Sequence, residues 1–152
     1  MATSYETLYA NLLPKFQSYE IPLMTQEEVE ELLSDYLTIA ISKFHICRKD
    51  LFNRDNNAKR FNCDLNEIEI EIISNYMLIA YVNANYVITP TLLKVAVGSS
   101  DFKAFSNANQ LDKLLSLYNA LLAETETLVM RYSWTNRSNI STIIHSNYRK
   151  NS

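Results

Sequence analysis

The chain has 152 residues, of which 47% are hydrophobic and 20% are charged. This length suits a single domain, and this composition excludes both a wholly disordered chain and a membrane protein. A net charge of −3 and a single glycine, Gly98, argue against a dedicated nucleic-acid-binding domain and against a glycine-rich phosphate loop.

The first part of the chain predicts two amphipathic helices. An apolar stripe predicts a helix near 4–13, and Pro14 limits its length. Thr25 and Glu28 form the Thr-x-x-Glu pattern of a capping box. Apolar residues then recur at three- and four-residue spacing, which predicts a helix from 26 to about 45 with one apolar face.

A polar, basic insert separates these helices from a third. Residues 46–63 contain an asparagine-rich turn and predict either a short hairpin or a loop. Asp64 and Glu67 are a candidate cap pair for the next element, which alternates isoleucine and glutamate as a strand does but also fits a helical period. The run over 65–86 lacks proline and glycine and is far longer than a typical strand, so it is predicted as a helix.

The second half of the chain predicts one long helix and a tail. Residues 87–105 are irregular, with a strand or a short helix as alternatives. Ser106 or Asn107 is predicted to cap a helix from 108 to 131, because leucine recurs there at helical spacing.

The tail, residues 133–152, is rich in serine, asparagine and threonine yet keeps apolar residues that a solvated tail does not need. We expect this arm to become ordered by lying on another subunit, and a frayed terminus is the alternative. Its candidate partner-binding residues are Trp134, Arg137, Ile140, Ile143, Ile144, Tyr148, Arg149 and Lys150.

The predicted fold class is therefore mostly α. Residues 1–132 are expected to form a small helical bundle of about four helices with an irregular or hairpin insertion, and residues 133–152 an extended C-terminal arm.

Charge is distributed unevenly along the chain. Residues 41–60 carry six cations and two carboxylates, whereas residues 1–40 carry one cation and seven carboxylates. This polarity suits head-to-tail contact between subunits or contact with an acidic neighbour, and a nucleic-acid surface is the alternative. The candidate residues for a subunit or DNA-channel contact are Arg48, Lys49, Arg54, Lys59 and Arg60.

Glutamates on the third predicted helix are interpreted as its solvated face. They are Glu67, Glu69 and Glu71, and salt bridges between subunits are the alternative interpretation.

The sequence contains no recognisable catalytic constellation. His45, Cys47, Cys63 and Asp64 have metal-ligand side chains but lack the paired spacing of a structural zinc site. Cys47 with His45 or His145 lacks an identifiable third group or oxyanion loop. We therefore predict a non-enzymatic protein without metal or cofactor.

Targeting signals are also missing from the sequence. The N-terminus lacks a secretory signal, the two cysteines make no disulfide framework, and no apolar run approaches the roughly 20 residues needed to cross a bilayer. A reducing, non-membrane location is expected.

The order of the capped acidic helix, the basic insert, the isoleucine-rich helix and the final helix resembles the head–tail connector, or adaptor, proteins of tailed bacteriophages. The resemblance covers residues 25–135 and is carried by the segments LTIAISKF, NEIEIEIISNYMLIAYV and SNANQLDKLL. These are packing patterns and not catalytic motifs.

This resemblance implies a structural virion protein of the neck, assembled in the host cytoplasm. Such a protein would form a homo-oligomeric ring, commonly of twelve copies, that docks to the portal and to tail or neck proteins. DNA would pass through the ring without sequence-specific contact, and the C-terminal arm would clasp the portal. A helical regulatory or nucleic-acid-binding protein that uses residues 43–60 is the alternative function.

Overall fold

A computed structural model describes residues 2–15, 24–88 and 105–150 of the chain. Within these ranges, the side chains of 86–88, 105–111, 114 and 136–150 are outside the description.

The described residues form four α-helices and one short hairpin. The helices are α1 (Tyr5–Leu12), α2 (Gln26–Lys43), α3 (Glu67–Val82) and α4 (Phe105–Lys150). A 3₁₀ turn, Leu13–Lys15, follows α1, and a π-helical segment, Asn83–Ile88, follows α3. The antiparallel strands β1 (Arg54–Asp55) and β2 (Arg60–Phe61) lie between α2 and α3. The prediction of a mostly α bundle with an irregular or hairpin insertion is confirmed, and the insertion contains a hairpin.

Helix α3 is the centre of the bundle and packs against α1, α2 and α4. Ten of its 16 residues are buried, although its first isoleucine, Ile68, is 49% exposed. Because α3 is covered on several sides, its sequence needs no single apolar face, which explains why its isoleucine–glutamate alternation also resembled a strand. The core includes Tyr5, Leu8, Leu12, Leu33, Leu37, Phe44, Phe61, Ile72, Met77 and Tyr132.

The hairpin is tied to the N-terminus of the chain. The Phe61 amide donates to the Thr3 carbonyl at 2.8 Å, and the Tyr5 amide donates to the Lys59 carbonyl at 2.8 Å. Asp55 accepts the amides of Asn57 and Ala58 at 3.0 Å each, and Lys59 closes the turn with a left-handed φ of 48°. The residues that precede α1 thus hold the hairpin against the bundle.

The N-terminal cap predicted for α2 is confirmed, and the one predicted for α3 is not. Thr25 and Glu28 form the predicted capping box, with Glu28 Oε2 accepting the Thr25 amide at 2.8 Å. The predicted cap pair of Asp64 and Glu67 is wrong, because α3 starts after Asn66, which pairs with Glu69. The Asp64 carbonyl instead accepts a hydrogen bond from the Lys49 ammonium group.

Helix α4 is longer than its predicted range of 108 to 131. It begins at Phe105, so Ser106 and Asn107 lie inside it and do not cap it, and it continues to Lys150. Serine, threonine and asparagine cost only a few tenths of a kcal/mol each in a helix, and the segment lacks proline and glycine. The C-terminal arm is therefore a helical extension. The strand or short helix suggested for 87–105 falls mainly on residues outside the described part.

Among the described residues, no helix combines the length and the apolar character that crossing a bilayer requires.

A core substitution on α2 tests the packing of the bundle. Leu37 is fully buried, whereas Ile39, two residues along the same helix, is 43% exposed. We expect Leu37→Ala to lower the free energy of unfolding by about 2–5 kcal/mol through lost burial and a residual cavity. Ile39→Ala, the matched control, should change it by less than about 1 kcal/mol. Urea denaturation measures both, and equal losses would contradict the packing of α2.

Candidate functional site

A buried carboxylate, Glu69, joins three separate parts of the chain. Its side chain is 2% exposed and accepts hydrogen bonds from Lys49 Nζ at 2.8 Å, the backbone amide of Asn66 at 2.9 Å and the Tyr132 hydroxyl at 2.7 Å. Lys49 belongs to the insert, Asn66 to the cap of α3, and Tyr132 to α4. A buried carboxylate is tolerated when it is paired and hydrogen-bonded in this way. We call these four residues the Glu69 cluster.

Arg48 of the insert binds Tyr132 of α4 beside the Glu69 cluster. Its guanidinium carbon lies 4.7 Å from the centre of the Tyr132 ring, and Nη2 donates to the Tyr132 carbonyl at 2.9 Å. The Arg48 amide also donates to the Tyr132 hydroxyl at 3.3 Å. Stacking and hydrogen bonds together fix the helix at the last turn before the arm.

Ionisation in the Glu69 cluster follows from these contacts. Burial opposes the charged form of Glu69, but the hydrogen bonds from Lys49, Asn66 and Tyr132 outweigh it, so the pKa of Glu69 is lowered. Burial raises the pKa of Tyr132, which keeps its hydroxyl a donor at neutral pH. The cluster is therefore an anchor made of a carboxylate, an ammonium group and a neutral phenol.

The other cations of the insert also contact the protein itself. Lys59 forms an ion pair with Glu30 of α2, and Arg54 donates to Thr38 Oγ1 at 3.2 Å. The Arg60 side chain is exposed. Four of the five predicted residues thus contact other parts of the chain, and Arg60 is the exposed exception, which reduces the charge left for a nucleic acid. Their contact with another subunit or with DNA stays a prediction.

The candidate metal ligands Cys47 and Cys63 are half-buried free cysteines. Burial raises the pKa of both Cys47 and Cys63, which disfavours the reactive thiolate. His45 is exposed, and its Nδ1 lies 3.2 Å from the Lys43 carbonyl. The described residues include no group of three or more His, Cys, Asp or Glu side chains able to hold a metal ion.

The outer side of α4 becomes apolar where the helix reaches the end of the bundle. Met130 is 59% exposed and Trp134 is 64% exposed. Two residues of an α-helix are about 200° apart, so both lie roughly opposite the buried Tyr132. An exposed indole and thioether on one side of a helix are typical of a contact surface.

The helical register relates the arm to this surface. Positions 137, 144 and 148 lie within about 80° of Trp134 around the helix axis, and position 140 within about 120°. Position 143 falls on the side of Tyr132. The backbone of the predicted arm residues is helical: Arg137, Ile140, Ile143, Ile144, Tyr148, Arg149 and Lys150. Their contacts stay predictions.

Comparison of the chain with protein-family models, with curated proteins and with solved structures found no significant match. The resemblance to connector proteins stays a prediction.

The Glu69 cluster is a feature that the sequence-based interpretation missed. Glu69 was assigned to a solvated face and is buried, and Tyr132 was one of many apolar-stripe residues. The available signal was the Asn-x-x-Glu spacing of Asn66 and Glu69, which is a capping box. Periodicity cannot show which capping carboxylate a second helix covers.

Removal of one hydroxyl tests the Glu69 cluster. We expect Tyr132→Phe to lower the free energy of unfolding at pH 7 by about 1–3 kcal/mol, because Glu69 loses a buried donor. Tyr118→Phe on the same helix is the control, with an expected change below about 0.5 kcal/mol.

The effect of Tyr132→Phe should depend on pH. Since the pKa of Glu69 is lowered from its ordinary value of 4.5, the stabilisation is fully present above that pH and is lost as pH falls through the lowered value. Urea unfolding at neutral pH and at pH 3 measures the difference in the free energy of unfolding between the wild type and Tyr132→Phe. We expect this difference to shrink at pH 3, and a larger difference at pH 3 would contradict the role of the charged Glu69.

Proposed function

We propose that this chain is a structural subunit that assembles through its C-terminal helix, as a connector ring docked to the portal at the head–tail junction of a tailed bacteriophage. The observation that carries the proposal is the exposed apolar side of α4 at Met130 and Trp134. The ring contains several copies, twelve in the resembled family, and DNA passes through it without base-specific contacts. Portal and tail or neck proteins are its other partners.

The length of α4 supports an assembling role. At 1.5 Å per residue, its 46 residues span about 69 Å, against about 27 Å for the 18 residues of α2. Among the described side chains, Tyr132 is the last core residue of α4, while the helix continues to Lys150. An isolated helical arm of this length gains little stability from propensity alone and is stabilised by packing against a partner.

A second exposed apolar surface on the insert supports a ring. Phe52 is 68% exposed and Ile46 is 39% exposed, and both flank the segment that Arg48 holds against α4. A closed ring with one subunit type uses two different surfaces on each subunit, one for each neighbour. The Glu69 cluster fixes the insert and the base of the arm relative to each other, which a fixed ring angle requires.

Electron microscopy of the purified full-length protein tests the assembly. We expect ring-shaped particles with rotational symmetry, either alone or after mixing with rings of the portal protein from the same genome. The complementary measurement is multi-angle light scattering. A monomer at high protein concentration that also fails to bind portal rings would overturn the proposal.

Truncation tests the role of the arm. Deleting the whole predicted arm, residues 133–152, would end α4 directly after the anchoring Tyr132. Deleting 137–152 leaves one more turn, so we expect cooperative unfolding to be kept, with a helical circular dichroism signal lower only by the deleted residues and with ring formation or portal attachment lost. Loss of folding would instead assign these residues to the core.

A further inference from the structure

The arm cannot fold back on its own bundle while α4 stays a continuous helix. No proline or glycine occurs between 105 and 150 to allow a sharp kink. Positions 137 to 150 lie about 14 to about 33 Å beyond Leu128 along the helix axis. Any groove beside Leu128 is therefore out of reach of the arm of the same chain.

One such groove lies between α1, α3 and α4 and has a volume of about 520 Å³. Its apolar lining includes Ile68, Ile70 and Leu128, and its acidic lining is Glu67 and Glu71. Ile68 is an apolar side chain of this lining that is 49% exposed. The volume is within the roughly 300–1,000 Å³ of clefts that bind ligands or side chains.

The groove is chemically complementary to the arm. From Arg131 onward the chain carries four cations and no carboxylate. Three of them, Arg137, Arg149 and Lys150, accompany the apolar residues of the arm, whereas the groove offers Glu67 and Glu71 beside its apolar lining. Glu71 already pairs with Lys15 at 2.6 Å, so Glu67 supplies the accessible carboxylate. An amphipathic helix that binds in an apolar groove with matched charges is a common recognition mode.

We infer that this groove binds the C-terminal helical arm of a second copy of the chain. Apolar residues of the arm fill the space beside Ile68, and one of its cations lies against Glu67. This inference rests on the proposed assembly and assigns the arm to the neighbouring subunit rather than to the portal. It does not depend on the phage assignment.

Charge reversal on full-length chains tests the pairing. Glu67→Arg in the groove should weaken self-association at least tenfold, because it opposes the cations of the arm. Reversal of the arm, Arg137→Glu with Arg149→Glu and Lys150→Glu, should weaken it similarly. The combined variant should associate at least threefold more tightly than either of its two parent variants, since the groove position and the arm again carry opposite charges. Sedimentation velocity over a concentration series measures all four proteins.

Matched controls separate the groove from general charge effects. Glu6→Arg changes an exposed glutamate in the first turn of α1, at a different cleft, and should leave association unchanged. Ile68→Lys should weaken association at least tenfold, whereas Ile39→Lys, at a residue 43% exposed on α2, should not. Circular dichroism confirms that each variant is folded.

The outcomes distinguish this inference from the proposed function. Association that the arm variant abolishes while Glu67→Arg and Ile68→Lys leave it intact would overturn the groove and keep an assembling arm that docks elsewhere. Failure of the combined variant to recover would likewise overturn the pairing. A wild-type chain that stays monomeric overturns the contact between copies, and portal binding by that monomer would preserve a neck function.

Discussion

The pairing of one buried carboxylate holds the rest of this structure in place. Glu69 is almost fully covered, and a charge in that position is strongly destabilising unless donors surround it. The donors come from the insert, from the cap of α3 and from α4, so folding brings all three together to satisfy one group. Loss of any one donor leaves the carboxylate less well satisfied and also loosens one connection between elements.

This constraint explains why the basic insert is an integral part of the fold. Lys49 and Arg48 hold its first residues against α3 and α4, while Lys59 and the N-terminal residues hold the hairpin against α2 and α1. Most cations of the insert therefore form hydrogen bonds or ion pairs within the chain. Exposed apolar side chains are also present, on the insert at Phe52 and on the outer side of α4 at Met130 and Trp134.

Helix α4 contacts the core on one side and carries exposed apolar side chains on the other. From Tyr118 to Tyr132 one side packs against the core, whereas Met130 and Trp134 are exposed on the opposite side. Tyr132, which binds Glu69, is the residue immediately before the arm, so the Glu69 cluster holds α4 where the arm begins. In the assembly that we propose, an arm that continues α4 from this anchored point reaches a neighbour at a defined position, which favours a symmetric assembly over non-specific association. The acidic groove beside Leu128 is the receptor that we propose for it on the neighbouring copy.

The sequence by itself determined the helical class, the approximate positions of the first three helices, the capping box at Thr25 and a polar insertion with a turn, because periodicity, caps and turn residues act over a few neighbouring residues. It also identified the apolar content of the arm. Only the tertiary structure decided that Glu69 is buried while Glu67 stays exposed, that Lys49 and Lys59 are paired within the chain, and that the arm continues α4. These depend on which helix covers which side of α3, and spacing along one segment carries no information about contacts between residues as distant as Glu69 and Tyr132.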